Sequence, residues 1–328
     1  MVQLQGSVNL DTIRRAHKRI RPHIHRTPVL TNSWLNDACR AALFFKCENF
    51  QKVGAFKARG ATNAVFALDD ETARRGVATH SSGNHGSAVA RAAKLRSVPA
   101  HIVMPSNSAK VKIRAVESYS AQLVFCEPTE ESREIKCTEV INKTGATLIH
   151  SFENEHVITG QGTAAMELLE DIPDLDVIMC PVGGGGLLSG PAIAAKSMRP
   201  QIKVIAVEPQ NADDAAQSFR AGRRLVTEKK FTIADGLRTN IGEPNFAIIH
   251  QYVDDIVTVS EEAIISAMRT IWETMKIVIE PSAAVPYAAI AQRIFDVERK
   301  RVGIILTGGN VDLDALPWNC SRDRLVTP

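Results

Sequence analysis

One lysine sits where its amine can become a nucleophile. Lys57 lies in the stretch Gly54-Ala55-Phe56-Lys57-Ala58-Arg59-Gly60-Ala61, after an apolar run at 42–47 and a turn at 49–54. It opens a small-residue helix running through Asn63 to about Leu68. An ammonium held there loses hydration and lies near a helix N-terminus, and both effects favour the neutral amine that forms Schiff bases. A lysine taken alone is more often a surface residue of an amphipathic helix, so Lys57 is judged together with the loops that follow.

Four loops supply what such a lysine needs. His80-Ser81-Ser82-Gly83-Asn84-His85-Gly86 follows a short strand and precedes a helix at 87–95. Its N–H groups and two hydroxyls suit a carboxylate, and Ser82 can also donate a proton. The plainer alternative is a polar helix cap with incidental histidines. Gly183-Gly184-Gly185-Gly186 stands between an apolar strand ending at Val182 and a helix starting at Leu187. Consecutive glycines let N–H groups converge on an anion, and the helix dipole favours a phosphate there. No Lys-Ser/Thr follows the glycines, which excludes a Walker-type loop. Glu208 ends the next strand about 20 residues on, where a ribose-binding acid sits in dinucleotide sites. The G-x-G-x-x-G register nevertheless ends on Leu188 or Ser189, so NAD is a minor alternative. Glu208-Pro209-Gln210-Asn211-Ala212-Asp213-Asp214 sets carboxylates at 208 and 214 around the Ala212 carbonyl. That is a hard-oxygen set for Mg2+ or Ca2+, or else an acidic helix start. Leu306-Thr307-Gly308-Gly309-Asn310 ends the last strand, where a hydroxyl can meet a heteroaromatic nitrogen.

The elements that must position these loops alternate. Strands read at 42–47, 77–80, 101–104, 122–126, 147–149, 177–182, 204–208 and 302–306. Helices read at 10–20 with Asp11 as cap, 33–39, 108–119, 129–143, 187–198 and 261–275. Such alternation predicts an α/β protein with parallel sheet, here two lobes with the ligand between them at the C-terminal ends of the strands. The expected division is a large lobe from 1–76 and 150–328 and a smaller inserted lobe from 77–149, within the range for 328 residues. A formal charge of +3, evenly spread and without a basic stripe interleaved with aromatics, argues against a nucleic-acid partner. Residues 1–11 are polar and no apolar run approaches the roughly 20 residues of a membrane span, so no membrane association and a cytoplasmic protein are expected. The six cysteines, at 39, 47, 126, 137, 180 and 320, form no C-x-x-C pair and read as reduced thiols filling space.

Together, the lysine stretch, Ser81-Ser82-Gly83-Asn84-His85, the tetraglycine loop, 208–214 and Thr307-Gly308-Gly309-Asn310 resemble the fold-type II pyridoxal-phosphate enzymes, which are tryptophan synthase β-like. Within them the chain is similar to the serine racemase and serine/threonine dehydratase group over nearly its whole length. The resemblance implies that Lys57 carries pyridoxal 5'-phosphate as an internal aldimine and that Asn84 contacts the cofactor's 3-hydroxyl. It implies further that Gly183, Gly184, Gly185 and Gly186 cradle the phosphate and that Thr307 faces the pyridine nitrogen, with Phe56 and Gly236 also at the cofactor. Ser82 then lies on the face opposite Lys57, and Ser81, Ser82, Asn84, His85, Arg133 and Thr239 are expected at the substrate. The metal reading of Glu208, Ala212 and Asp214 gains over its alternative, with Mg2+, Ca2+ or Mn2+ as the ion. Lys52, Tyr119 and Asn310 match positions associated with ATP in animal serine racemases, although Ser87 stands where a glutamine is found there. Ala55 and Thr307 stand where serine is common, and a homodimer is the family's assembly.

The expected reaction is serine racemisation combined with L-serine and L-threonine dehydration. A Cα proton is removed, then either returned or followed by loss of the β-hydroxyl and release of ammonia. Arg238, in Ala234-Asp235-Gly236-Leu237-Arg238-Thr239, can pair with a second carboxylate, which makes a 3-hydroxyaspartate ammonia-lyase the alternative. A non-catalytic pyridoxal-phosphate-binding protein is the minor alternative.

Overall fold

A computed structural model describes residues 7–81, 83–108, 110–228 and 231–318. Among these, the strands in chain order are β1 (Val29–Leu30), β2 (Ala42–Cys47), β3 (Val77–His80), β4 (Ala100–Pro105) and β5 (Gln122–Cys126). They continue with β6 (Thr147–Leu148), β7 (Val177–Pro181), β8 (Lys203–Pro209), β9 (Asp255–Val259) and β10 (Arg301–Leu306). One sheet has the order β1-β2-β10-β7-β8-β9 and the other β5-β4-β3-β6. Every pairing except β1 with β2 is parallel. Strands β4 and β7 are buried throughout, and β10 from Val302 on, as expected of parallel sheets covered by helices on both faces.

Parallel strands put their C-terminal ends on one side, so the loops that follow them converge. The last strand, β10, inserts between β2 and β7, with Leu306 opposite Cys47 and Ile304 opposite Met179. Thr307, at its end, therefore falls between the turn before Lys57 and the tetraglycine loop.

The helix that starts at Lys57, Lys57–Ala67, packs on helix Glu155–Asp171 through two glycines. A Cβ on Gly160 would lie 2.6 Å from Gly60 Cα, so the backbones meet there without side chains between them. One residue away, the buried Arg59 guanidinium is clasped by Glu48 (2.7 Å) and Glu167 (2.7 Å). Lys46 reaches the same Glu167 at 2.8 Å. These bonds anchor the helix that presents Lys57.

The cap of the first helix, Leu10–Ile20, is Asn9 rather than Asp11. The Asn9 side chain accepts the Thr12 N–H and the Thr12 hydroxyl accepts the Asn9 N–H, a reciprocal capping box. The helix after β3 begins at Asn84, earlier than its polar start suggested, and so draws Asn84 and His85 into its first turn. Cys39, Cys47, Cys126, Cys137 and Cys180 are free thiols, and Cys320 lies outside the described residues. No helix among the described residues is long and apolar enough to cross a membrane.

Candidate active site

Residues before Lys57 are held by the end of β10. The Phe56 N–H donates to Thr307 O at 2.9 Å, and Ala55 bridges Gly308. Lys57 follows as the first helical residue, its Nζ 5.2 Å from the centre of the Phe56 ring and donating to Ser151 O at 2.9 Å. Burial lowers its pKa to about 8, against the opposing charge of Glu280. The amine is therefore far easier to deprotonate than a surface lysine.

The loop after β3 faces it. Asn84 Nδ2 donates to both Glu280 carboxylate oxygens at 3.0 Å, and its Oδ1 accepts from Asn310 Nδ2 at 2.9 Å. Burial, then the Asp235 charge, push Glu280 up to about 7, while Asn84 pulls the other way. His85 Nε2 donates to Ile149 O at 2.9 Å, which leaves Nδ1 as the lone-pair nitrogen. That atom is buried without a partner among the described residues, and burial together with the Lys57 charge holds the ring neutral. Ser81 Oγ accepts the Gly83 N–H at 3.2 Å, and Ser82 lies outside the described residues.

The tetraglycine loop forms the opposite wall. The N–H groups of Gly183, Gly184 and Gly185 donate to no described residue, and helix Gly186–Met198 starts directly after them. Side chains are excluded: a Cβ on Gly184 would lie 2.4 Å from the Phe152 ring, and Gly185 has φ +89°. Free N–H groups at a helix start make an anion cradle. Between the walls, the Thr307 hydroxyl is buried with no partner among the described residues.

Lys57, Asn84, the four glycines and Thr307 all line one cavity of about 450 Å³, with Gly236, Arg133 and Thr239 also on its walls. A primary amine of lowered pKa, an anion cradle and an unpaired hydroxyl match the aldehyde, phosphate and ring nitrogen of pyridoxal phosphate. The residues present fit that group.

Arg238, expected to face a second carboxylate, does not line this cavity. It is exposed, donates through Nε and one NH2 to Thr232 O (2.9 and 2.7 Å), and lies over the Phe231 ring. Arg133 lines the cavity instead, with Nε turned back to Thr129 O at 3.3 Å. The expected metal residues sit apart, at the end of β8. Glu208 accepts the N–H groups of Ala215 and Ala216, Asp214 accepts the Ile241 N–H at 2.6 Å, and the Ala212 carbonyl accepts nothing among the described residues. Burial and Asp214 push Glu208 well above the carboxylate range, and burial lifts Asp214 to about 6. Of the residues matched to a nucleotide, Asn310 also donates to Val53 O, next to Lys52, while Tyr119 packs against the apolar cluster of the smaller sheet.

Sequence reasoning missed Glu280, Ser151, Lys112 and Asp235. Lys112, which follows β4, pairs with Asp235 from the other side of the cavity, and both line it.

Two sheets, parallel except for β1, whose strand ends enclose a lysine, a glycine cradle and a buried hydroxyl define the class: an α/β enzyme of the fold-type II pyridoxal-phosphate architecture. The chain belongs to the pyridoxal-phosphate dependent enzyme family, whose model matches residues 20–308. It is 49% identical over 315 residues to a serine racemase of Dictyostelium discoideum, covering 95% of this chain and 97% of that one. To a beta-hydroxyaspartate dehydratase of Paracoccus denitrificans it is 48% identical over 304 residues, 93% of this chain and 96% of that one. The solved structure of maize serine racemase superimposes with a TM-score of 0.93 at 46% identity, over 97% of this chain and 98% of the other.

Proposed function

We propose that the protein is a serine racemase with L-serine and L-threonine dehydratase activity. The observation that carries this reading is the Lys57 amine, held in the cavity by Ser151 O with its pKa lowered to about 8. When bound, pyridoxal phosphate supplies an electron sink for the pair left at Cα as its proton departs. Lys57 removes that proton from one face. The start of helix Asn84–Arg96 and the Ser81 loop receive the substrate carboxylate, with His85 behind them. The proton that inverts the centre is returned by Ser82, the donor that the resemblance implies. The Thr307 hydroxyl is neutral and cannot keep the ring nitrogen protonated as an aspartate would, which leaves loss of the β-hydroxyl in competition. Gly183–Gly186 would hold the phosphate, and Phe56, Asn84 and Gly236, which line the same cavity, would contact the rest of the cofactor.

An ammonia-lyase acting on 3-hydroxyaspartate is the second reading, favoured by the 48% identity to a beta-hydroxyaspartate dehydratase. With Arg238 outside the cavity, Arg133 is the cation for a second carboxylate.

The same reading carries a divalent ion at Glu208, Ala212 O and Asp214, most simply Mg2+. Two neighbouring buried carboxylates of raised pKa support it. It also carries an ATP effector near Lys52, Tyr119 and Asn310, supported by the Asn310 bond to Asn84. A cytoplasmic homodimer completes it, with 77–149 as the smaller lobe, supported by β3 to β6 forming a sheet of their own.

The deciding experiment gives purified protein, with pyridoxal phosphate and Mg2+, L-serine and L-threo-3-hydroxyaspartate separately, following ammonia and enantiomer content together. D-serine plus pyruvate from L-serine is the expected result. Ammonia from 3-hydroxyaspartate alone would establish the second reading, and no product from either would leave a non-catalytic binder.

A further inference from the structure

Asn245 lies beneath the cavity and does not line it. It sits in the first turn of helix Glu243–Tyr252, fully buried, and each of its polar atoms is used. Nδ2 donates to Gly184 O at 2.9 Å and to Phe152 O at 2.9 Å. Oδ1 accepts the Ser189 hydroxyl at 3.0 Å. Its Cβ packs under Gly185, where an added Cβ would come within 2.7 Å. A primary amide of this length can donate two bonds from one atom and accept at the other; an aspartate accepts only, and an alanine does neither.

The direction of these bonds has a consequence above the loop. In a trans peptide the C=O and the following N–H point opposite ways. Pinning the Gly184 carbonyl down onto Asn245 therefore turns the Gly185 N–H away from Asn245, and that N–H meets no acceptor among the described residues. The Gly242 N–H reinforces the pin, donating to the same carbonyl at 3.1 Å. The second bond, to Phe152 O, ties the glycine loop to the segment whose preceding residue, Ser151, holds the Lys57 amine at 2.9 Å. Ser189, on helix Gly186–Met198, fixes the rotation of the amide.

We propose that Asn245 is a positioning residue that aims the Gly185 N–H at the cofactor's phosphate. The inference rests on the reading of Gly183–Gly186 as the phosphate cradle. It predicts a defect that depends on the phosphate, because Asn245 touches neither the aldehyde end nor the ring.

The test strips the protein of cofactor and titrates it with pyridoxal phosphate and, separately, with pyridoxal, which lacks the phosphate, following the visible band. Wild type should bind pyridoxal phosphate much the more tightly. Asn245→Ala and Asn245→Asp should raise the Kd for pyridoxal phosphate about 10- to 100-fold, the scale of one or two buried hydrogen bonds, and move that for pyridoxal by less than about threefold. Ser189→Ala, which frees only the rotation of the amide, should shift the ratio of the two Kd values severalfold in the same direction. Equal weakening of both aldehydes, or an unchanged ratio, overturns the proposal. If the Asn245 variants fail to fold, the Ser189→Ala ratio decides alone. A wild type that does not favour the phosphate-bearing aldehyde would instead remove the cradle reading itself.

Discussion

The Lys57 amine works as a base only after it has lost its extra proton, and burial decides at what pH that happens. With the pKa lowered to about 8, the neutral form gains ground as pH rises through that value. Cofactor capture by stripped protein should accelerate with pH and level off above about 8; a rate flat between about pH 6 and 9 would detach the step from this titration. Arg238 leads to a second expectation at the same scale. Because its guanidinium is spent on Thr232 O, Arg238→Ala should leave kcat/KM for 3-hydroxyaspartate within about threefold, whereas Arg133→Ala should cost at least about tenfold. Equal losses in steady-state assays would return Arg238 to the site. Lys57, Asn84, the four glycines and Thr307 were legible because each stands in a short strand-end signature. Glu280 and Ser151 were not, since their partners are 196 and 94 residues away and neither has a local pattern.

Among the elements, the alternation of strand and helix was readable because apolar runs of strand length stand between capped polar helices. Helices Glu155–Asp171 and Pro281–Ala291 escaped for the opposite reason. Both are buried on nearly every side, so they show no polar stripe, and Gly160, Gly162 and Pro286 read as breakers. The first of them carries Glu167, one of the two acids that clasp Arg59. Burial alone would raise the Glu167 pKa, but hydrogen bonds from His17 and Arg59 and the charges of Arg59 and Lys46 hold it below the carboxylate range. A depressed folded-state pKa stabilises the fold above the unfolded value of 4.5, and that contribution is lost as pH falls towards the folded one. The urea midpoint should therefore drop on acidification below about pH 4.5. Arg59→Met, which takes the cation from Glu48 and leaves Glu167 to Lys46 and His17, should cost about 3–5 kcal/mol at neutral pH. A loss under about 1 kcal/mol in chemical denaturation would mean that the cluster does not anchor the Lys57 helix.

For the molecule as a whole, ligands that hold its parts together should raise its stability by mass action. Burial and the nearby Asp214 disfavour the charged form of Glu208 at the end of β8, so an ion bound there would stabilise the fold: a chelator should lower Tm by a few degrees and Mg2+ should restore it. A melt indifferent to both would remove the ion from the reading. The order of strands carries a consequence of another kind, for a chain still being made. Strand β2 pairs only with β1 and β10, and 301 − 47 = 254 positions separate its last residue from the first of β10. At the ordinary pace of ribosomes, β2 waits roughly 10–50 s for its main neighbour. A nascent chain stalled before residue 301 would already contain Lys57, Asn84 and the whole tetraglycine loop, yet lack the strand that sets them side by side. Such a fragment should show no protein-bound band with pyridoxal phosphate, and that band should appear only when translation has run past Thr307.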